Sequence, residues 1–189
     1  MPPRQKITKA MILEQAFKIA EEQGIMAVTS RSVAKALGCS IQPVFSQFPT
    51  MEELRQATFR YACDLFVKDV LAFEDRSDFF QQVTNWVIDL AKNRPTLFRL
   101  LYLSNEFDGS NFLEVMMGFE SNKRLISKMT ELYHLDDNSC KDILLRSCLF
   151  LIGISTMICV NHMDFSNNQV EKMMKQTVSD MVNGAKGQL

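Results

Sequence analysis

Ile41, Gln42, Pro43, Ser46 and Gln47 fall within seven residues, interleaved with Val44 and followed by Phe48. On a helix, Val44 and Phe48 share one side and the other five look outward. Such an outward set suits the edges of bases in a DNA groove. A glutamine amide makes a bidentate contact to adenine, and Ile41 or Pro43 packs on a thymine methyl. Ordinary connectivity in an all-α protein leaves the same pattern, so both readings stand at this point.

Other chemistry finds little support. His134 and His162 lie far apart at expected helix ends, with no Cys or His at metal-ligand spacing. No G-x-S-x-G, G-x-x-x-x-G-K-[ST] or H-E-x-x-H run occurs, and Asp136–Asp137 reads as a helix start. No catalytic residue, metal ligand or cofactor is therefore expected.

The elements that hold the outward set are two short helices. In "SRSVAKALGCSIQPVFSQF", residues 30–48, Val33, Ala34 and Leu37 form one apolar stripe, Gly38 breaks it, and Val44 and Phe48 resume it. Thr29 or Ser30 can cap the first and Ser40 the second, where Pro43 is tolerated in the first turn. This is the pattern of a helix-turn-helix, whose second helix enters the major groove. Before it, Leu13, Ala16, Phe17 and Ala20 give a helix over about 7–23, ended by Gly24. After it, Thr50 with Glu52 and Glu53 opens a long fourth helix bearing Leu54, Ala57, Tyr61 and Leu65 on one face. Further helices are expected over about 77–92, 95–106, 111–133, 137–163 and 167–184, making an all-α fold of about nine.

Charge divides the chain where function would. Formal net charge is −1 over 189 residues, yet residues 1–48 hold six basic groups against three acidic, and the remainder 15 against 19. A basic head on an acidic body suits a polyanionic partner. The 47% apolar content supports a full core. Five cysteines without a C-x-x-C pair read as reduced thiols in a cytoplasmic protein. No signal peptide is expected from positions 4–9. The apolar stretch Cys148–Val160 falls short of the roughly 18 residues that span a bilayer, so no membrane partner is expected.

The head resembles the TetR/AcrR family of bacterial transcriptional regulators. Gly24, Thr29, Val33, Ala34, Gly38, Cys39, Ser40, Val44, Phe45, Phe48, Glu52 and Leu54 stand in register with that family's pattern. The match covers about residues 7–66. The resemblance implies a DNA-binding head over 1–48 and a ligand-binding and dimerisation body over 49–189. It implies a homodimer on palindromic operator DNA, most simply a repressor released by a small apolar or amphipathic molecule. Phosphate contacts would come from Thr29, Ser30, Arg31 and Gln47, with a basic arm at Arg4, Lys6 and Lys9; Ser40, Ile41, Gln42, Pro43 and Ser46 would face the bases. Phe45 also belongs to the implied DNA-binding set, but it stands where the family usually has Tyr, and Met51 where Lys is common, so two phosphate contacts are missing.

In the body, the resemblance turns a scatter of soft side chains into a candidate pocket: Trp86, Leu90, Tyr102, Asn105, Phe112, Met116, Phe119, Cys148 and Ile152, with Trp86, Tyr102 and Asn105 as polar anchors. The stretch 144–160 is apolar nearly all round. In so small a body it is expected to face a second subunit rather than lie at the centre of one. The expected dimer surface is Leu149, Gly153, Thr156 and Met157 with Met173, Met174, Thr177 and Met181 on the last helix. Two rival readings are a helical adaptor that binds proteins without DNA, and a thiol sensor at Cys39.

Overall fold

The computed structural model describes residues 7–73, 76–104, 106 and 118–187. Those residues form nine α-helices, one 3-10 turn at Ile25–Ala27 and no strand. The helices are α1 (Lys9–Gln23), α2 (Ser30–Ala36), α3 (Gln42–Gln47), α4 (Met51–Leu71), α5 (Phe79–Asn93), α6 (Pro95–Leu103), α7 (Glu120–Tyr133), α8 (Asp137–Asn161) and α9 (Asn167–Lys186). They divide into two compact units, the described residues of Met1–Phe66 with Thr96–Asp108, and those of Val67–Pro95 with Gly109–Leu189.

The first unit is built on local signals. Thr8 caps α1 by accepting from the Met11 amide, and Gly24 ends it at φ 88°, its amide returning to Ala20. At Gly38, φ 64°, the Gly38 amide bonds the Lys35 carbonyl and the Cys39 amide bonds Ala34. This paired closure of a helix end places glycine in the left-handed region, where a Cβ is disfavoured. Inside lie Ile12, Ala16, Ile19 and Ala20 of α1, Val28 after the 3-10 turn, Val33 and Ala34 of α2, Val44 and Phe48 around α3, and Leu54 and Phe59 of α4. Each large apolar side chain so buried contributes roughly 1.5–3 kcal/mol relative to exposure, which sets three short helices that could not persist alone.

In the second unit α8 packs against α5, α7 and α9. The expectation that so apolar a helix could not be central to one subunit is thereby corrected. Cys140, Ile143, Leu144, Ser147, Leu151, Ile154, Ser155, Ile158 and Cys159 are all buried within the chain. By length and composition α8 is also long enough to cross a membrane, so the expectation from Cys148–Val160 alone was too short; three helices cover much of it instead. Asp136 caps its start, accepting from the Asn138 and Ser139 amides. His134 and His162 prove to be the C-caps of α7 and α8, both left-handed at φ 56° and 54°. Polar clamps tie α5 to α9: Gln81 and Asn85 each donate at 2.8 Å to the Glu171 carboxylate, and Asn167 joins Lys92 and Asp89.

Candidate nucleic-acid interface

The first turn of α2 fixes the entrance to the motif. The Thr29 hydroxyl accepts from the Ser32 amide at 3.0 Å, and the Ser32 hydroxyl accepts in return from the Thr29 amide at 2.9 Å. Ser32 also donates to the Ala27 carbonyl at 2.7 Å, which locks the preceding turn. The reciprocal cap was readable in the Thr29-x-x-Ser32 spacing, although Ser32 had not been singled out. Thr29 is half-buried and its hydroxyl is engaged in this cap. Beside it, the Ser30 amide donates to the Met51 thioether at 3.1 Å. Met51 therefore holds the start of α2 against the start of α4, a structural use of a position that carries a phosphate-binding lysine in the resemblance.

The Gly38 turn then sets α3. Its start differs from expectation: Ser40 is not the cap. Ile41 already has helical dihedrals, no side chain caps the helix, and Pro43 sits in the first turn. Proline tolerates that position because its missing amide proton would have no helical partner. Only Val44 of α3 is buried. Ile41, Gln42, Phe45, Ser46 and Gln47 are exposed, as is Ser40 before them, and Pro43 is half-buried. Phe45 lies on the outward side although it was not in the outward set read from spacing; i, i+4 spacing puts it above Ile41. The Ser46 hydroxyl donates back to the Pro43 carbonyl at 2.8 Å, so its proton stays within α3.

Around this face the cations are exposed. Arg31 and Lys35 project from α2. Lys9 stands 5.1 Å from the Phe48 ring centroid, where the ring face attracts the ammonium. Arg4 and Lys6 lie outside the described residues. Thr50 caps α4 through the Glu53 amide, as expected. An exposed short helix after a glycine turn, on a head whose Lys9, Arg31 and Lys35 are exposed, has the make-up of a helix-turn-helix surface for duplex DNA.

The remaining predicted positions fall into two groups. Trp86 and Leu90 on α5, Phe119 at the start of α7, and Cys148 and Ile152 on α8 all belong to the second unit, with Leu90 buried and the others half-buried. Tyr102 on α6 belongs instead to the first unit, its ring 6.1 Å from Phe66 and 5.1 Å from Phe98. Asn105, Phe112 and Met116 lie outside the described residues. On α8, Leu149, Gly153 and Met157 are exposed and Thr156 is half-buried. On α9, Met173 is exposed, Thr177 and Met181 are half-buried, and Met174 is buried within the chain. Sequence reasoning missed two groups, the Ser121 and Ser155 hydroxyls, both buried without a hydrogen-bond partner. A lone serine in an apolar run gives no signal of this before its neighbours are known.

Thiol chemistry is suppressed where the cysteines are enclosed. Burial pushes the Cys63 and Cys148 thiols up to about 12, and burial raises Cys140 as well. Among the described residues no group of three His, Cys, Asp or Glu side chains is placed to hold a metal.

Residues 12–58 match the family model described as bacterial regulatory proteins, tetR family. Residues 12–58 therefore carry a head like that of the tetR-family regulatory proteins, and the described residues share the all-helical fold of the solved structures they align with. Two solved structures agree at the level of fold. The multidrug binding protein EbrR complexed with ethidium aligns at a TM-score of 0.58 and 16% identity, over 94% of this chain and 99% of that one. The same protein complexed with imidazole gives 0.57 and 13%, over 89% and 93%. A TetR transcriptional regulator from Rhodococcus sp. RHA1 gives 0.48 and 16%, over 92% and 93%. No curated protein sequence matches the chain.

Proposed function

We propose that this chain is a cytoplasmic transcriptional repressor that binds a palindromic operator as a homodimer and leaves it when a small apolar or amphipathic molecule binds the body. The observation that carries the reading is the exposed face of α3, set by the Gly38 turn, on a head that also exposes Lys9, Arg31 and Lys35. Arg4 and Lys6 in the sequence add two further cations to the head. These cations hold phosphates and the α3 side chains meet base edges.

Dimerisation is supported by the α8 face. Leu149 is 49% exposed, Met157 42% and Val160 47%, and with Gly153 they make an apolar stripe on a helix whose other sides are covered. A second copy would bury that stripe together with Met173, Thr177 and Met181 of α9. Two-fold symmetry then presents two α3 helices to an inverted repeat.

Ligand binding is supported by the unpartnered Ser121 and Ser155 hydroxyls inside the second unit. A buried hydroxyl without a partner costs about 1–3 kcal/mol, a cost that a bound molecule's donor or acceptor would relieve. Trp86, Leu90, Phe119, Cys148 and Ile152 offer apolar lining, with Asn105, Phe112 and Met116 as further candidates. EbrR, which shares the fold, is complexed with ethidium and with imidazole. Release requires that the ligand favour a body conformation in which the two heads are wrongly spaced. α4, which contributes residues to both units, is the lever. Selection of fragments of the source genome by the full-length protein tests the reading: an inverted repeat is expected among those bound. Recovery of fragments without any shared sequence would contradict it.

A further inference from the structure

The α3 face is uncharged, and this limits which bases it can read. Between Lys35 and Glu52 the chain has no charged residue at all. Guanine offers two acceptors in the major groove, O6 and N7, and is matched by the forked donors of arginine or by lysine. α3 supplies neither. Cytosine offers an N4 donor, matched by Asp or Glu, and these are absent as well. Ser46 spends its proton on the Pro43 carbonyl at 2.8 Å, so it has no donor left for guanine, although its oxygen can still accept.

What α3 does expose is two large apolar side chains one turn apart. Ile41 is 44% exposed and Phe45 41%, with Gln42 beside them. Residues four apart on a helix lie one above the other, so these two form one short apolar ridge. In the major groove the apolar feature is the C5-methyl of thymine. Its paired adenine presents N6 and N7, the pattern that a glutamine amide grips in a bidentate way.

Building on the DNA-binding reading above, we infer that the head reads A·T pairs through thymine methyl groups, with Ile41 and Phe45 covering methyls and Gln42 gripping an adjoining adenine. Arg31, Lys35 and Lys9 hold phosphates and add affinity without sequence preference. Phe45 is then a specificity-determining side chain rather than a position that has merely lost a hydroxyl.

The test uses the full-length protein and a library of randomised duplex DNA, followed by a uracil scan of the selected duplex. Replacing thymine by uracil removes only the C5-methyl. Each covered methyl should weaken binding about fourfold when removed, the equivalent of one buried methylene-sized group. Ile41→Ala and Phe45→Ala should each erase the penalty at one scanned position. More than half of each residue is covered, so thermal melting of each variant is recorded and the scan is run below its transition. A selected site of G·C pairs, a flat uracil scan with the unsubstituted protein, or uracil penalties unaltered in both variants would each overturn the inference while leaving DNA binding intact. Failure to retain any duplex from the library would overturn the DNA-binding reading itself, and this inference with it.

Discussion

Helices α3 and α8 both leave apolar side chains in water, and the contrast shows two ways a chain can hold back surface for a partner. α3 is six residues long and buries only Val44, so it contributes little stability and owes its position to the turn and caps around it. Its exposed Ile41 and Phe45 form one short apolar ridge flanked by Gln42 and Ser46, a surface small enough to stay solvated and still meet a groove. α8 is 25 residues long, has neighbours on three sides and is central to its unit. Its exposed Leu149, Gly153, Met157 and Val160 form a continuous stripe, a pattern that marks protein–protein contact. A short helix that must fit DNA is set by backbone devices. A long helix is set by packing, and under the proposed dimer its leftover face is the part a second copy would cover.

The largest effect that can break this contrast is expected at Gly153. Among the described residues nothing outside its own helical backbone lies within 4 Å of a Cβ built there, so Gly153→Asp leaves the protomer room to fold. In a dimer it would bury an unpaired carboxylate once in each copy, a cost of about 3–5 kcal/mol or more. Sedimentation should show monomer or aggregate, and operator binding should be lost although the head is untouched. A folded dimer with normal DNA binding would place the interface elsewhere.

Next in size is Leu54→Ala in the head. Leu54 is fully buried, and truncation should cost about 2–5 kcal/mol, read as a lower urea midpoint of the transition that includes α1–α3. An unchanged midpoint would mean that the head is held by something other than its core.

At Gly38 the space is open but the dihedral is not: no atom lies within 4 Å, yet φ is 64°. Gly38→Ala should therefore cost about 1–2 kcal/mol through the left-handed backbone and shift α3, weakening DNA binding. A fully stable variant would show that the turn relaxes without loss.

The smallest effect sharpens the body side. Arg76 and then Gln82 hydrogen-bond the Asp78 carboxylate and hold it at about 2, below its ordinary 3.8. Because the folded value is the lower one, the contribution is present above about pH 4 and disappears as pH falls toward 2. Asp78→Asn should flatten that acid limb in a melting-temperature profile and leave neutral pH nearly unchanged. A variant profile parallel to the unsubstituted one would remove the pair from the acid response.

These two helices also divide what could be read from sequence. Gly24, Gly38, Thr29, Thr50 and Pro43 act within one turn of themselves, so α1, α2 and α4 fall close to their expected bounds. The exception is instructive: Ser40 looked like a cap, but Ile41 already turns helically and the cap goes unused. α8 was recognised as a helix, yet its place was misjudged. An all-round apolar pattern does not say how many neighbours a helix has, and α5, α7 and α9 together cover what seemed to need a second subunit. The Ser121 and Ser155 hydroxyls, the Met51 thioether on Ser30 and the Glu171 clamp depend on contacts between distant segments, for which composition carries no sign.

The central claim is that the α2–α3 head binds duplex DNA through its exposed cations. Titrating the full-length protein with a random-sequence duplex at 50 and 200 mM salt tests it most directly. With four or more phosphate contacts, affinity should fall about 100-fold or more between the two concentrations. An adaptor for proteins alone would bind no duplex at either concentration, and that result, or a salt-independent affinity, would contradict the account.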